Sequence, residues 1–117
     1  MTNWIALNTE QQIEQIAEVS KTMPCLIFKH STRCSISTTA KSRLERNWNF
    51  SVAEITPYYL DLLSYRPVSD KVAAFFDVEH QSPQVLLIID GECVYEETHN
   101  AISVADIAEQ LEQYNPI

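Results

Sequence analysis

Residues 25–37 decide the fold, and they read CLIFKHSTRCSIS. The apolar run at the start of this segment predicts a buried β-strand, and the residues after Cys34 have the spacing of an amphipathic helix. Cys34 therefore stands where a strand passes into a helix. The first N–H groups of a helix lack intrahelical partners and carry the positive end of its macrodipole. Both features favour the thiolate form of cysteine, which is the form that attacks disulfides.

The second position of interest follows three residues later. Ser37 stands where a dithiol redox protein carries its second cysteine, so the motif is Cys-x-x-Ser with one thiol. The Ser37 hydroxyl lies one helical turn from Cys34 and can donate a hydrogen bond to the sulfur, or it only satisfies a backbone carbonyl. Thr32 and Arg33 are either solvated loop residues or contacts for the thiolate and its substrate.

The other two cysteines have a simpler interpretation. Cys25 and Cys93 fall inside apolar, strand-like runs, where a free cysteine behaves as a small hydrophobic residue. Three cysteines cannot all pair within one chain, and no two of them have the spacing of metal ligands. We therefore expect no metal and no cofactor.

Length and charge restrict the class of protein. A chain of 117 residues predicts one domain covering residues 1–117. The net charge is −8 and the basic residues are dispersed, which argues against binding to nucleic acid or anionic lipid. No apolar run approaches the ~20 residues of a membrane span, and the N-terminus lacks the pattern of a signal peptide. These features predict a cytoplasmic protein with no membrane partner.

Apolar periodicity and turn residues predict the remaining elements. A capping box at Thr9 and Gln12 begins a first helix over about residues 10–21, after a short edge strand over residues 4–7. A second strand is expected over residues 58–65, and Ser69 is the expected N-cap of the helix that follows. The other predicted elements are a helix over residues 36–48, a strand over 84–89, a turn at Asp90-Gly91, an antiparallel strand over 93–97 and a last helix that begins at Ser103.

The predicted order β-α-β-α-β-α-β-β-α defines an architecture. Strands separated by helices require right-handed crossovers, and the final hairpin adds an antiparallel edge. The natural solution is an α/β fold with a central mixed sheet and helices on both faces, which is the thioredoxin-like fold. In this fold Pro83 opens the strand that faces Cys34. A cis Ser82–Pro83 bond is expected there, exposing the backbone of Ser82 for pairing with a substrate.

Two segments together resemble a known family. Residues 28–37 read FKHSTRCSIS and residues 79–88 read EHQSPQVLLI, and both are similar to the monothiol bacilliredoxins, thioredoxin-fold proteins of the bacillithiol system. The resemblance runs in order from about Trp4 to the last helix. It implies a thiol–disulfide oxidoreductase that removes a low-molecular-weight thiol such as bacillithiol from client proteins. Cys34 is then the nucleophile, Ser37 replaces a resolving cysteine, and Pro83 is the cis-proline.

One residue departs from the family pattern. The family has proline directly after the cysteine, whereas this chain has Ser35. Proline at the first helical position fixes φ and contributes no N–H, so serine adds a donor near the sulfur.

Two other functions are compatible with the same residues. One is a non-catalytic thioredoxin-like module that binds extended peptides beside Pro83 or senses oxidation through Cys34. The other is an iron–sulfur-binding monothiol glutaredoxin. The motif of that class has glycine after the cysteine, and the chain shows no matching glutathione-binding signature, so the sequence disfavours it.

Overall fold

Strands and helices alternate along the chain in the predicted order. The computed structural model describes residues 2–114. The strands and helices are β1 (Ile5–Ala6), α1 (Glu10–Val19), β2 (Cys25–His30), α2 (Ser35–Asn47), β3 (Thr56–Asp61), α3 (Arg66–Phe75), β4 (Gln84–Ile89), β5 (Glu92–Thr98) and α4 (Val104–Tyr114), with a short 3₁₀ turn (His99–Ala101) before α4. Within the described range, no helix is long and apolar enough to cross a bilayer.

The five strands form one mixed sheet in the order β1-β3-β2-β4-β5. β1, β3 and β2 run parallel, whereas β4 is antiparallel to β2 and β5 is antiparallel to β4. The register between β4 and β5 shifts between Leu87 and Ile88, which marks a bulge in the hairpin. β5 is an edge strand, and β2 lies at the centre of the sheet. The predicted α/β fold class with a mixed sheet is confirmed.

Helices cover both faces of the sheet and divide the core into two layers. On one face α1 and α3 pack through residues such as Ile13 and Val72. On the other face α2 and α4 pack through residues such as Leu44 and Ile107. Successive side chains of β2 enter the two layers alternately, and all six of its residues are buried. Because β2 is buried on both faces, the loop that follows it, residues 31–34, begins at a fixed position at the centre of the sheet.

Several local signals form as the sequence predicts. Thr9 Oγ1 accepts the Gln12 N–H at 3.3 Å while Gln12 Oε1 accepts the Thr9 N–H at 3.0 Å, which completes the capping box of α1. The helix ends at Val19, two residues before the predicted end. Asp90 and Gly91 both have positive φ, 54° and 80°, as a type I′ hairpin turn requires.

Two predicted boundaries in the middle of the chain are wrong. The strand expected over residues 58–65 is β3, which spans Thr56–Asp61, because the six residues of β2 pair with these six and no more. Pro57 is tolerated inside it because β1 pairs with β3 only at Tyr58 and Tyr59. The helix expected to begin at Ser69 begins at Arg66, with a proline in its first turn. Proline is favourable there because its missing N–H would have had no partner. Ser69 is a buried residue inside α3.

Candidate functional site

Cys34 caps the N-terminus of α2, at the end of the loop that leaves β2. Its backbone is extended, with φ −106° and ψ 121°. Its N–H donates to the Ser31 carbonyl at 3.1 Å, and its carbonyl accepts the Thr38 N–H at 3.0 Å. The residue is half-buried. The predicted strand-to-helix junction is confirmed, and Cys34 stands beside the unpaired N–H groups of the first helical turn.

Ser37, in the first turn of α2, is hydrogen-bonded to the loop that carries Cys34. Its side chain is fully buried, and Oγ lies 2.7 Å from His30 Nδ1 and accepts the Ser31 N–H at 3.0 Å. Among the described residues, no hydrogen bond joins its hydroxyl to the Cys34 sulfur, so the bond considered in the sequence is not found. The reason is geometric, because the Ser37 hydroxyl is turned toward His30 at the end of β2 and toward the Ser31 N–H. Ser37 thus connects α2 to the segment that carries Cys34.

His30 is the partner of Ser37 at the last position of β2. It is buried, and its ring centroid lies 5.8 Å from that of Phe28 and 5.7 Å from that of Tyr59. Burial, together with the nearby Lys41 ammonium, lowers the pKa of His30, so the neutral imidazole is favoured. One hydrogen is then shared between Nδ1 and the Ser37 hydroxyl, and the tautomer of His30 decides which atom donates it.

Thr32 and Arg33 lie on the outer side of the Cys34 loop. Both side chains are exposed, as is Ser35 in the first turn of α2. Their exposure is compatible with both interpretations of the sequence, solvated loop residues and contacts for the substrate. Ser35 occupies the position where the family pattern has proline, and its N–H remains in the first helical turn beside Cys34.

Pro83 lies at the same edge of the sheet as the Cys34 loop. The Ser82–Pro83 peptide bond is cis, as expected. Lys29 of β2 pairs in register with Gln84 of β4, which places Pro83 beside the end of β2 where the Cys34 loop begins. Pro83 itself is buried, and the Ser82 hydroxyl is buried without a hydrogen-bond partner among the described residues.

The other two cysteines are poor nucleophiles. Burial raises the pKa of the Cys25 thiol to about 12 and that of the Cys93 thiol to about 11. Cys25 is fully buried as predicted, whereas Cys93 is only half-buried, in the edge strand β5. All three cysteines are free thiols. In residues 2–114, no group of three or more His, Cys, Asp and Glu side chains is arranged to hold a metal ion.

A buried polar contact near this edge is not evident in the sequence. Lys29 Nζ lies 3.1 Å from Nδ1 of His80, a residue that the sequence places only in a loop after a helix. The available signal was a lysine within the apolar run of β2, since lysine is almost never fully buried without a partner.

A half-buried cysteine at the helix that follows the central strand, opposite a cis-proline, is the arrangement of thioredoxin-fold proteins that exchange thiols and disulfides. Solved structures agree. One provisionally described as an oxidoreductase with a thioredoxin fold is 33% identical, with a TM-score of 0.75 and 92% of each chain covered. A thioredoxin of Malassezia sympodialis is 10% identical, with a TM-score of 0.73 over 97% of this chain and 91% of its own. Fasciola hepatica thioredoxin is 16% identical, with a TM-score of 0.69 over 98% and 100%.

The family is more specific than the fold. A family model described as monothiol bacilliredoxin BrxC matches residues 5–107. The chain therefore belongs to the monothiol bacilliredoxin family, as the resemblance of its two segments indicated, and its general activity is thiol–disulfide exchange.

Proposed function

We propose that this protein removes a low-molecular-weight thiol, such as bacillithiol, from cysteines of client proteins. The Cys34 thiolate attacks the sulfur of the small thiol in a mixed disulfide. A new disulfide forms between Cys34 and the small thiol, the original disulfide breaks, and the client cysteine leaves as a thiolate that takes a proton from solvent. No electrons are gained or lost overall, because one disulfide replaces another.

One observation carries this proposal. Of the three thiols, Cys34 alone stands at a helix N-terminus, whereas burial keeps Cys25 and Cys93 protonated at neutral pH. Ser37 cannot resolve the mixed disulfide because its side chain is a hydroxyl. A second small thiol or a separate reductase must therefore regenerate Cys34. We assign substrate contacts to Thr32, Arg33, Ser82 and Pro83, which lie on the loop and at the strand start beside Cys34.

The test is adduct formation followed by intact mass measurement. Reduced protein is incubated with bacillithiol disulfide, and in parallel with glutathione disulfide. We expect one adduct per chain, which is absent in Cys34→Ala and retained in Cys25→Ala and Cys93→Ala. Release of a client thiol from a bacillithiol-modified peptide then shows removal directly. An adduct that persists in Cys34→Ala overturns the assignment, and the absence of any adduct favours the peptide-binding alternative.

A further inference from the structure

Two polar side chains are fully buried where β2 ends and β4 begins. Lys29 and Gln84 are each 0% exposed, and they are direct partners across the two strands. A fully buried lysine is rare because its ammonium loses its hydration, so its position in the central strand requires a physical reason. The thiol–disulfide exchange described above uses neither residue.

The contacts of Lys29 reach toward the loop before β4. Its Nζ donates to the Ser69 carbonyl at 3.2 Å and lies 3.1 Å from His80 Nδ1. The Ser69 hydroxyl lies 3.3 Å from the same nitrogen of His80. An ammonium group can only donate, so His80 Nδ1 is the acceptor in this contact. Lys29 thereby links helix α3 to the loop.

Gln84 holds the same loop from the neighbouring strand. Its side-chain amide donates to the Glu79 carbonyl at 3.0 Å and to Glu96 Oε2 at 2.9 Å, and its Oε1 accepts the Gln81 N–H at 3.3 Å. The segment 79–82, which leads directly into Pro83, is consequently held by hydrogen bonds from two buried side chains.

This arrangement is unfavourable for stability. Burial lowers the pKa of Lys29 to about 8, so the ammonium form still predominates at neutral pH but is less favourable in the folded chain than in water, despite the nearby Asp70 carboxylate. A buried charge is weak evidence of a contribution to stability, because the loss of its hydration can exceed what its contacts return. The contacts of Lys29 are therefore better explained by what they hold in place than by a contribution to folding.

We propose that Lys29 is a positioning residue, which acts through His80 and together with Gln84 fixes segment 79–82 so that Ser82 and Pro83 face the substrate disulfide at Cys34. This inference rests on the proposed function. Lys29 forms no bond with the substrate, and the exchange itself is carried by Cys34.

The test compares Lys29→Met with the wild type in three measurements. The first is the rate of exchange with a peptide whose cysteine carries the small thiol. In the proposal this reaction depends on segment 79–82. The second is the rate of Cys34 alkylation by iodoacetamide, which does not require the loop. The third is the free energy of unfolding. We expect exchange to slow by about tenfold or more, alkylation to be unchanged, and stability to be equal or higher. Lys21→Met removes an exposed lysine elsewhere and is the matched control.

A second pair of variants keeps the inference testable if Lys29→Met does not fold. His80→Ala removes the acceptor and should slow exchange, whereas His80→Gln supplies an amide oxygen and should restore it. Unchanged exchange in Lys29→Met or His80→Ala overturns the inference, and so does a parallel loss of stability, exchange and alkylation. If the wild type itself does not exchange, the proposed function fails and the inference fails with it.

Discussion

At the scale of single residues, position 37 carries a serine where a dithiol redox protein has its second cysteine. A buried hydroxyl replaces the second sulfur and is engaged by His30 and by the Ser31 N–H. The replacement therefore removes the chemistry of a resolving cysteine but keeps a side chain that supports the Cys34 loop. In the function proposed above, the Ser37 hydroxyl cannot displace a mixed disulfide on Cys34, so an external thiol has to do so.

The raised pKa values of two buried or half-buried thiols, Cys25 and Cys93, predict selective labelling. We expect iodoacetamide to modify only Cys34 in the native protein at about pH 8, since alkylation requires the thiolate. The Cys25 and Cys93 thiols, with pKa values of about 12 and about 11, remain protonated there. Peptide mapping after labelling checks this result. Labelling in urea should recover all three cysteines, and modification of Cys25 or Cys93 under native conditions would contradict the prediction.

The residues of the site differ in how well the sequence predicts them. The positions of Cys34 and Pro83 were predictable, because the apolar pattern defines the strand boundary at which each stands and the fold follows from the order of the elements. The contact of Lys29 with His80 was not, because the two residues are 51 positions apart. The direction of the Ser37 hydroxyl was also missed, since its partners are the His30 ring and the Ser31 N–H, neither of which the local sequence indicated.

At the scale of elements, the order was predictable and some boundaries were not. The type of each element follows from apolar periodicity, which local sequence contains. The start of α3 depended instead on Pro67 in its first turn, and the end of β3 depended on how many residues could pair with β2. Serine is a residue type that often caps helices, but Ser69 lies inside α3, where its hydroxyl is 3.3 Å from His80 Nδ1.

The connection between α2 and the Cys34 loop predicts a stability effect. Ser37→Ala leaves the Ser31 N–H and His30 without their partner, and we expect a loss of about 1–3 kcal/mol in the free energy of unfolding. Urea denaturation measures it. Ser35→Ala is the matched control because Ser35 is an exposed residue in the same helical turn. Equal stability of the two variants would show that the contact of Ser37 with the loop contributes nothing.

At the scale of the whole molecule, the two core layers place titratable groups in an apolar environment. Burial lowers the pKa of both His30 and His80 from the ordinary value of 6.5. The two histidines therefore take up protons near pH 6.5 in the unfolded chain, but only at lower pH in the folded chain. The free energy of unfolding must then fall as the pH decreases below this value.

This linkage predicts acid sensitivity before the carboxylates titrate. Between about pH 7.5 and about pH 5.5 we expect stability to fall, with a slope of at most about 1.4 kcal/mol per pH unit for each histidine. Urea denaturation across this range measures the slope. His30→Gln should make the slope shallower because its side chain does not titrate. A flat profile for the wild type would contradict the lowered pKa values of both histidines.

The exposed edge of the sheet has a consequence for solution behaviour. Among residues 2–114, no strand pairs with the outer side of β5, yet this strand carries Glu92, Glu96 and Glu97 and adjoins the bulge at Leu87 and Ile88. Acidic side chains repel a second copy of the same strand, and a bulge twists the edge away from a partner. The hairpin is thus protected against strand-to-strand aggregation by its own charge.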